Sequence, residues 1–386
     1  VNYRSVLCQF IQENPEDWEA RLTNEYTLKI KREGDLAIFN YGVGAHFSDP
    51  IVQEARGIIL DVSTLEVVCW PFRKFGNHNE SYADSIDWES ARVLEKVDGS
   101  IVKLWFDHKG GKWQFSTNAT IRAEEAPVDG AFGLTFGKVI MSAENYAEIP
   151  FDSLDKHTTY IFELVSPETT VVVRYQTPSL YHIGTRHNIT GLESDCDIGI
   201  KKPASYPLTS LSECIHAAAR LNRDEDAPTD DIRQEGFVVV DKAYHRVKVK
   251  SPDYLMMHRL HQVGTLSKKD ALSLILTQSP NIQPLCDANP HLVPLFKFYE
   301  YHLSELIYLA DRIAALSRHL YEEYSRDRGA VARVIARHRL SAIGFLALDG
   351  EKSGKDILLS LSVEKLAKFI PDYLPEDLSS LFTSPQ

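Results

Sequence analysis

The chain is short of several things, and each shortage removes a class of protein. Cysteine is sparse, with five in 386 residues (Cys8, Cys69, Cys196, Cys214 and Cys286). They are scattered, odd in number and form no C-x-x-C pair, so neither a zinc site nor a disulfide framework is indicated, and idle thiols in a reducing compartment are expected. No apolar run is long enough to span a bilayer, and the opening Val-Asn-Tyr-Arg-Ser-Val has no signal-peptide core. A soluble, cytoplasmic protein without a membrane partner is expected. Positive charge is also short, 42 Lys and Arg against 54 Asp and Glu, for a formal net charge of −12. This balance argues against a protein that coats nucleic acid through its overall charge, but it leaves room for a local basic cleft. The sequence has no internal repeat and no low-complexity segment.

The length suffices for two domains, and the pattern of apolar residues divides the chain accordingly. A helix is predicted from Tyr3 to Glu13. Alternating or apolar runs predict strands at Tyr26–Lys31, Leu36–Tyr41, Ile58–Asp61, Leu65–Phe72, Ile101–Phe106, Thr158–Val165, Val171–Tyr175 and Leu180–Arg186. Helices are expected at Phe136–Tyr146 and Ser210–Arg220, with an acidic loop from Asn222 to Asp231. Gln234–Asp241 and His245–Lys250 read as a hairpin. After about Met257 glycine thins out and helical spacing takes over: Leu303, Leu306, Ile307, Ala310, Ile313, Ala314, Leu320, Tyr321 and Tyr324, then Val331, Val334 and Ile335, then Ser362–Phe369 before Pro371. The expected class is α+β: a domain over residues 1–256 built on antiparallel sheets with helices, followed by an all-helical domain over 257–386. Gly350–Asp356 superficially resembles a phosphate loop but lacks its spacing and the Ser/Thr after the lysine, so it is set aside.

The stretch around which the first domain is organised is Glu95-Lys96-Val97-Asp98-Gly99-Ser100. Asp-Gly favours a turn, which would put Lys96 on a tight loop feeding the strand from Ile101. Elsewhere in the domain, Glu163 interrupts an apolar strand, where a carboxylate is costly unless it is paired, on a metal, or turned outward. Glu235-Gly236 opens another strand. Arg246, Lys248 and Lys250 alternate with valines and so share one face, where they should repel one another unless they meet an anion. Arg56 and Lys74 lie upstream. A lysine, cations and carboxylates are what nucleotidyl transfer needs. A neutral amine attacks the α-phosphate, neighbouring cations such as Lys248 and Lys250 depress its pKa and stabilise phosphate charge, and carboxylates hold a divalent metal.

In this arrangement the sequence resembles the covalent nucleotidyltransferases, and within them the ATP-dependent RNA ligases of the phage RNA ligase 1 type. Lys96-Val97-Asp98-Gly99-Ser100 matches the nucleophile motif, Tyr160–Val165 the third, Glu235–Val239 the fourth and Val247–Ser251 the fifth. More specific to this branch are Ala55–Ile59, Lys74–Glu80 and Phe115–Arg122 followed by Glu124-Glu125-Ala126. The resemblance covers nearly all of the first domain and continues weakly into the second.

It implies an ATP-dependent enzyme, with Mg²⁺ or Mn²⁺, that joins RNA 5′-phosphate and 3′-hydroxyl ends through lysyl-AMP and RNA-adenylate, with cleaved tRNA among the candidate substrates. It makes Lys96 the nucleophile and Lys250 the α-phosphate contact. Lys248, Arg56 and Lys74 would contact the triphosphate or the RNA phosphate. Glu235 is the leading metal carboxylate, and Glu163 contacts the ribose or the metal. The backbone at Glu95 and the Gly99 turn would hold the nucleotide, with Tyr254 supporting the pocket. Ser116 and Asn118 depart from the family's pattern, which has basic residues there; Arg122 keeps one charge. Arg326, Arg328, Arg333, Arg337 and Arg339 offer either RNA phosphate contacts or a solvated, salt-bridged face. The rival readings are a DNA ligase or capping-type enzyme, disfavoured because the chain turns helical after the fifth motif, and a non-catalytic RNA-binding module on the same fold.

Overall fold

The computed structural model describes residues 4–129, 131, 133–222, 232–263, 266–277, 282–288 and 290–373. Most of the expected acidic loop at 222–231 lies outside the described residues. The chain forms two compact units, one running to His258 and the other beginning at Arg259.

The described strands of the first unit are β1 (Leu28–Glu33), β2 (Leu36–Tyr41), β3 (Arg56–Asp61), β4 (Glu66–Cys69), β5 (Arg92–Lys96), β6 (Ser100–Asp107), β7 (Lys112–Ser116), β8 (Thr158–Val165), β9 (Ser179–His187), β10 (Glu193–Ser194), β11 (Ser205–Tyr206), β12 (Gly236–Val240) and β13 (Arg246–Lys250). They make three sheets, ordered β1-β2-β3-β4, β10-β9-β8-β6-β7 and β11-β5-β12-β13. Every ladder within them is antiparallel. The first sheet packs Phe39, Ile58 and Leu60 on the apolar faces of helices Val6–Glu13 and Trp18–Asn24. In the second, Val102, Leu104, Phe162 and Leu164 pack on Val139 and Ile140 of helix Phe136–Met141. In the third, Val93, Phe237, Val239, Val247 and Val249 bury against Cys214 and Ala218 of helix Leu211–Ala218, whose N-cap is Ser210.

Three expectations need correction. Lys96 is not on a loop: it is the last residue of β5, a strand with only two apolar residues between charged ends and therefore no visible period. Its neighbour across the ladder is Gly236, and Gly236 in turn faces Lys250. Val171–Tyr175 is not a strand. The N–H groups of Val172 and Val173 both donate to Asp98 Oδ2, at 2.9 and 2.7 Å. Successive strand N–H groups point to opposite edges, so two that converge on one oxygen require an irregular turn. The helix from Phe136 stops at Met141, and Tyr146 begins a separate short 3₁₀ turn.

The second unit is helical throughout its described residues. Helix Val293–Glu323 is its spine and buries Leu303, Leu306, Ala310, Ile313, Ala314 and Leu320 along one face. Val331 and Ile335 are buried in helix Arg328–Ile335, whereas Val334 is exposed. In Gly350–Asp356, Ser353 and Asp356 form a reciprocal cap on helix Gly354–Leu359 rather than a phosphate loop. Arg326, Arg328 and Arg333 each stand beside an acid, Glu322, Asp349 and Asp327 respectively. No described helix is long and apolar enough to cross a membrane.

Gly99 immediately precedes β6, where that strand begins to pair with β8. A Cβ built on it would lie 2.3 Å from the Leu164 carbonyl oxygen. Gly99→Ala should therefore force the two strands apart and cost about 1–3 kcal/mol. Urea unfolding would measure this, and an unchanged midpoint would show that the strands tolerate the added methyl.

Candidate active site

The ends of several strands meet at one cavity of about 540 Å³ in the first unit, a size suited to a small ligand. Lys96 enters it from β5, Glu163 from β8, Lys248 and Lys250 from β13, and Arg56 from the start of β3; Glu235 immediately precedes β12. The ladder register sets the centre. Because Lys96 and Lys250 both face Gly236, they flank Glu235. Lys96 Nζ is 2.6 Å from Glu235 Oε2, and Lys250 Nζ is 2.8 Å from Oε1. The Glu235 side chain is only 3% exposed. Gly236 has φ +150°, and a Cβ on it would come within 2.2 Å of the Val249 carbonyl oxygen. A side chain at that position would wedge β12 away from β13.

The cation row of β13 is resolved by its partners. Arg246 pairs with Glu193 at 2.6 Å and its guanidinium lies over Phe72. Lys250 shares Glu235 and sits over the Tyr254 ring. Lys248 has no carboxylate partner among the described residues; its ammonium lies 4.7 Å from the Phe75 ring centroid. Arg56 stacks on Phe72 and Phe75, at 5.0 and 5.4 Å, and its Nη1 is buried with no hydrogen-bond partner. The segment from Lys74 docks beside β13: Lys248 N–H donates to the Gly76 carbonyl and His78 N–H to the Lys248 carbonyl. Lys74 itself does not line the cavity. Its ammonium stands over Tyr41 and Phe47.

These contacts set the protonation states. Burial pushes the Glu235 carboxyl up, but Lys96 and Lys250 outweigh it and hold it below the usual carboxylate range. Burial likewise lowers Lys96, but Glu235 and then Glu163 more than reverse this, so its pKa is raised. This corrects the expectation that neighbouring cations keep Lys96 neutral: two nearby carboxylates act on it more strongly than the lysines do. The depressed amine is Lys248, brought to about 6 by burial and then by Lys74, Arg56, Lys96 and Lys250. Glu163 rises to about 7 through burial, opposed by Lys96 and supported by Glu235. It is buried and lines the cavity, so the outward-facing alternative fails because both faces of β8 are covered.

Asp98 carries a role that the sequence reading did not give it. Its Oδ1 accepts from the Tyr254 hydroxyl at 2.7 Å, and its Oδ2 holds the two N–H groups at Val172 and Val173. It thus ties the turn after Lys96 to Tyr254 and to the cavity wall. An acid in the apolar setting of Val97 and Ile101 was the available signal. Phe72 and Phe75, the platform for Arg56, were also missed: Phe72 reads as the end of an apolar strand and Phe75 as part of a polar loop, whereas both lie beyond β4. The Glu95 N–H is already taken by the Ala204 carbonyl at 2.7 Å, and the Ala204 N–H approaches the Glu95 carboxylate, which leaves only the Glu95 carbonyl for a nucleobase.

Among the described residues no group of three His, Cys, Asp or Glu side chains is arranged to hold a metal. Asp98 is fully engaged and Glu235 is shared by two ammonium groups, whereas Glu163 has no hydrogen bond or ion pair among the described residues. This donor set fits a hard cation that arrives with phosphates and retains waters, not one in an all-protein cage.

The antiparallel α+β fold is the class expected from the sequence. The chain belongs to the RNA ligase family: the family model matches residues 54–254, more than half of the chain. It is 32% identical over 303 residues to a protein of Autographa californica nuclear polyhedrosis virus named as a bifunctional polynucleotide kinase/RNA ligase, covering 72% of this chain and 41% of that one. It is 26% identical over 306 residues to the RNA ligase of Rhodothermus phage RM378, covering 62% of this chain and 68% of the phage protein. Among solved structures, an archaeal ATP-dependent RNA ligase aligns with 12% identity over 64% of this chain and 65% of its own, with a TM-score of 0.42. The chain thus spans less than half the length of the baculovirus relative.

Lys248 imposes a cost on the ligand-free fold. Its folded pKa is depressed to about 6 from 10.5, so the unfolded chain binds a proton that the folded one gives up. Stability is lost as pH falls from about 10.5 towards 6. Lys248→Met should therefore be more stable than wild type by about 1 kcal/mol or more near pH 6.5, and the gain should shrink towards pH 10. Urea titrations across that range measure it, and a less stable variant at pH 6.5 would refute the assignment.

Proposed function

We propose that this chain is an ATP-dependent RNA ligase that seals an RNA 5′-phosphate to a 3′-hydroxyl. The observation that carries the reading is the Lys96–Glu235–Lys250 cluster, opening on a cavity with Arg56 and Lys248, in a chain of the RNA ligase family. In the first step the Lys96 amine attacks the α-phosphorus of ATP, a nitrogen–phosphorus bond forms and pyrophosphate leaves. In the second, an oxygen of the RNA 5′-phosphate attacks that phosphorus and the lysine is released. In the third, the 3′-hydroxyl attacks the activated 5′-phosphate, the phosphodiester forms and AMP departs.

The chain's residues divide this work. Lys96 is stored as an ammonium on Glu235 and must shed a proton before it attacks. Lys250, held on the other oxygen of Glu235, is placed for the α-phosphate. Lys248, neutral at pH 7 in the empty site, gains charge as phosphate enters, and Arg56 offers its unpartnered Nη1 beside it. The Tyr254–Asp98 bond fixes the pocket wall. Mg²⁺ or Mn²⁺ brought in with the nucleotide would take Glu163 and Glu235 as its protein ligands and neutralise phosphate charge. The baculovirus relative's name couples a polynucleotide kinase to a ligase, and a kinase is the class of activity that supplies the 5′-phosphate this site consumes. Broken RNA, including cleaved tRNA, is the substrate class that fits.

Incubation with α-labelled ATP and Mg²⁺, followed by denaturing electrophoresis, tests the reading. Wild type should acquire label and Lys96→Ala none. If folded, AMP-free wild type takes no label, the enzymatic reading falls and an RNA-binding module replaces it. Glu235→Gln should slow labelling about a hundredfold, because Lys96 and Lys250 lose their common anchor. It also removes the carboxylate that holds the Lys96 pKa up, so the rising limb of the pH–rate profile should move to lower pH. A limb that stays in place would mean that Glu235 does not govern the nucleophile.

A further inference from the structure

Lys103 has no part in the site described so far. It lies in the middle of β6, opposite Ser116 of β7 and Ile161 of β8, and its side chain is fully buried. Its ammonium donates to the Thr117 carbonyl at 2.6 Å and to Asn118 Oδ1 at 3.1 Å. No carboxylate among the described residues pairs with it. The charged or titratable neighbours that act on it are the Cys69 thiol and the Arg56 guanidinium, and burial above all brings its pKa down to about 7.

Two features connect this lysine to the cavity. Thr117, Asn118 and Ala119 form part of the cavity wall, so the ammonium stands directly behind that wall. Gly57, next to the cavity residue Arg56, has φ +80°, and a Cβ on it would lie 2.4 Å from Lys103 Nζ and 2.8 Å from Asn118 Cα. The glycine leaves the slot through which the ammonium reaches the wall. A buried cation without a counter-ion is poor at stabilising a fold. Behind the wall of a phosphate-binding cavity its counter-ion can arrive with the ligand.

We infer that Lys103 is a positioning residue for phosphate binding: its ammonium pins the Thr117–Ala119 wall against Gly57 and contributes positive potential that the ATP phosphates complete. This rests on the nucleotidyl-transfer reading above. It differs from a packing role, because an apolar side chain of similar length would fill the same space.

The test compares wild type, Lys103→Met, Asn118→Ala and the double variant. The rate of protein labelling by α-labelled ATP is measured against ATP concentration, and each variant is checked by thermal unfolding. Lys103→Met should melt within a few degrees of wild type, raise the ATP concentration for half-maximal labelling about tenfold, and leave the maximal rate within about threefold. Asn118→Ala should shift half-saturation less, and the double variant should be no worse than Lys103→Met alone, since both act through one contact. Should Lys103→Met fail to fold, a normal half-saturation in folded Asn118→Ala would overturn the inference. Normal half-saturation in folded Lys103→Met would also overturn it while leaving the ligase reading intact. An unlabelled wild type would overturn both.

Discussion

The site depends on one buried carboxylate held between two lysines. Glu235 is almost fully enclosed, and alone it would have to be neutral; with Lys96 on one oxygen and Lys250 on the other it is charged, and it holds both ammonium groups where the sheet edges meet. The register of β12 with its two neighbours makes this possible, and Gly236 permits the close approach. Lys96 is consequently held in its protonated form.

Around that centre the first unit carries charge it does not need for folding. Lys248, Lys103 and Arg56 are enclosed with rings, carbonyls or nothing as partners. Each is disfavoured by burial, and each lies in or behind the wall of one cavity. A polyanion entering the cavity would favour the charged form of both lysines and give Arg56 a counter-ion, although the chain as a whole carries −12. Asp98 and Tyr254 provide the rigid counterpart. Their hydrogen bond, and the two N–H groups on the other oxygen of Asp98, hold the cavity wall to the turn that follows Lys96.

Much of this was legible in the sequence, for identifiable reasons. Strands β2 and β8 run over the residues that their apolar patterns mark, and the hairpin of β12 and β13 follows from two valine-rich runs about a turn. The alternation of Arg246, Lys248 and Lys250 put three cations on one face, as observed. What could not be read has its cause in long-range contacts. Strand β5 has too few apolar residues to show a period and exists because β12 and β11 pair with it. Val171–Tyr175 has strand-like composition, yet Asp98, more than seventy residues upstream, takes two successive N–H groups and bends it.

The sequence by itself determined which groups are available: a lysine before Asp-Gly, carboxylates at Glu163 and Glu235, and a row of cations on an alternating strand, in an order that marks the family. Side-chain chemistry and local periodicity are written in the chain, so these could be read directly. Only the tertiary structure decided their states. Whether Lys96 or Lys248 is the neutral amine depends on which of them stands beside Glu235, and whether Lys103 matters depends on the wall in front of it. Those answers come from burial and from charges brought together across more than a hundred residues, and proton affinity is set by that surrounding field rather than by the identity of the residue.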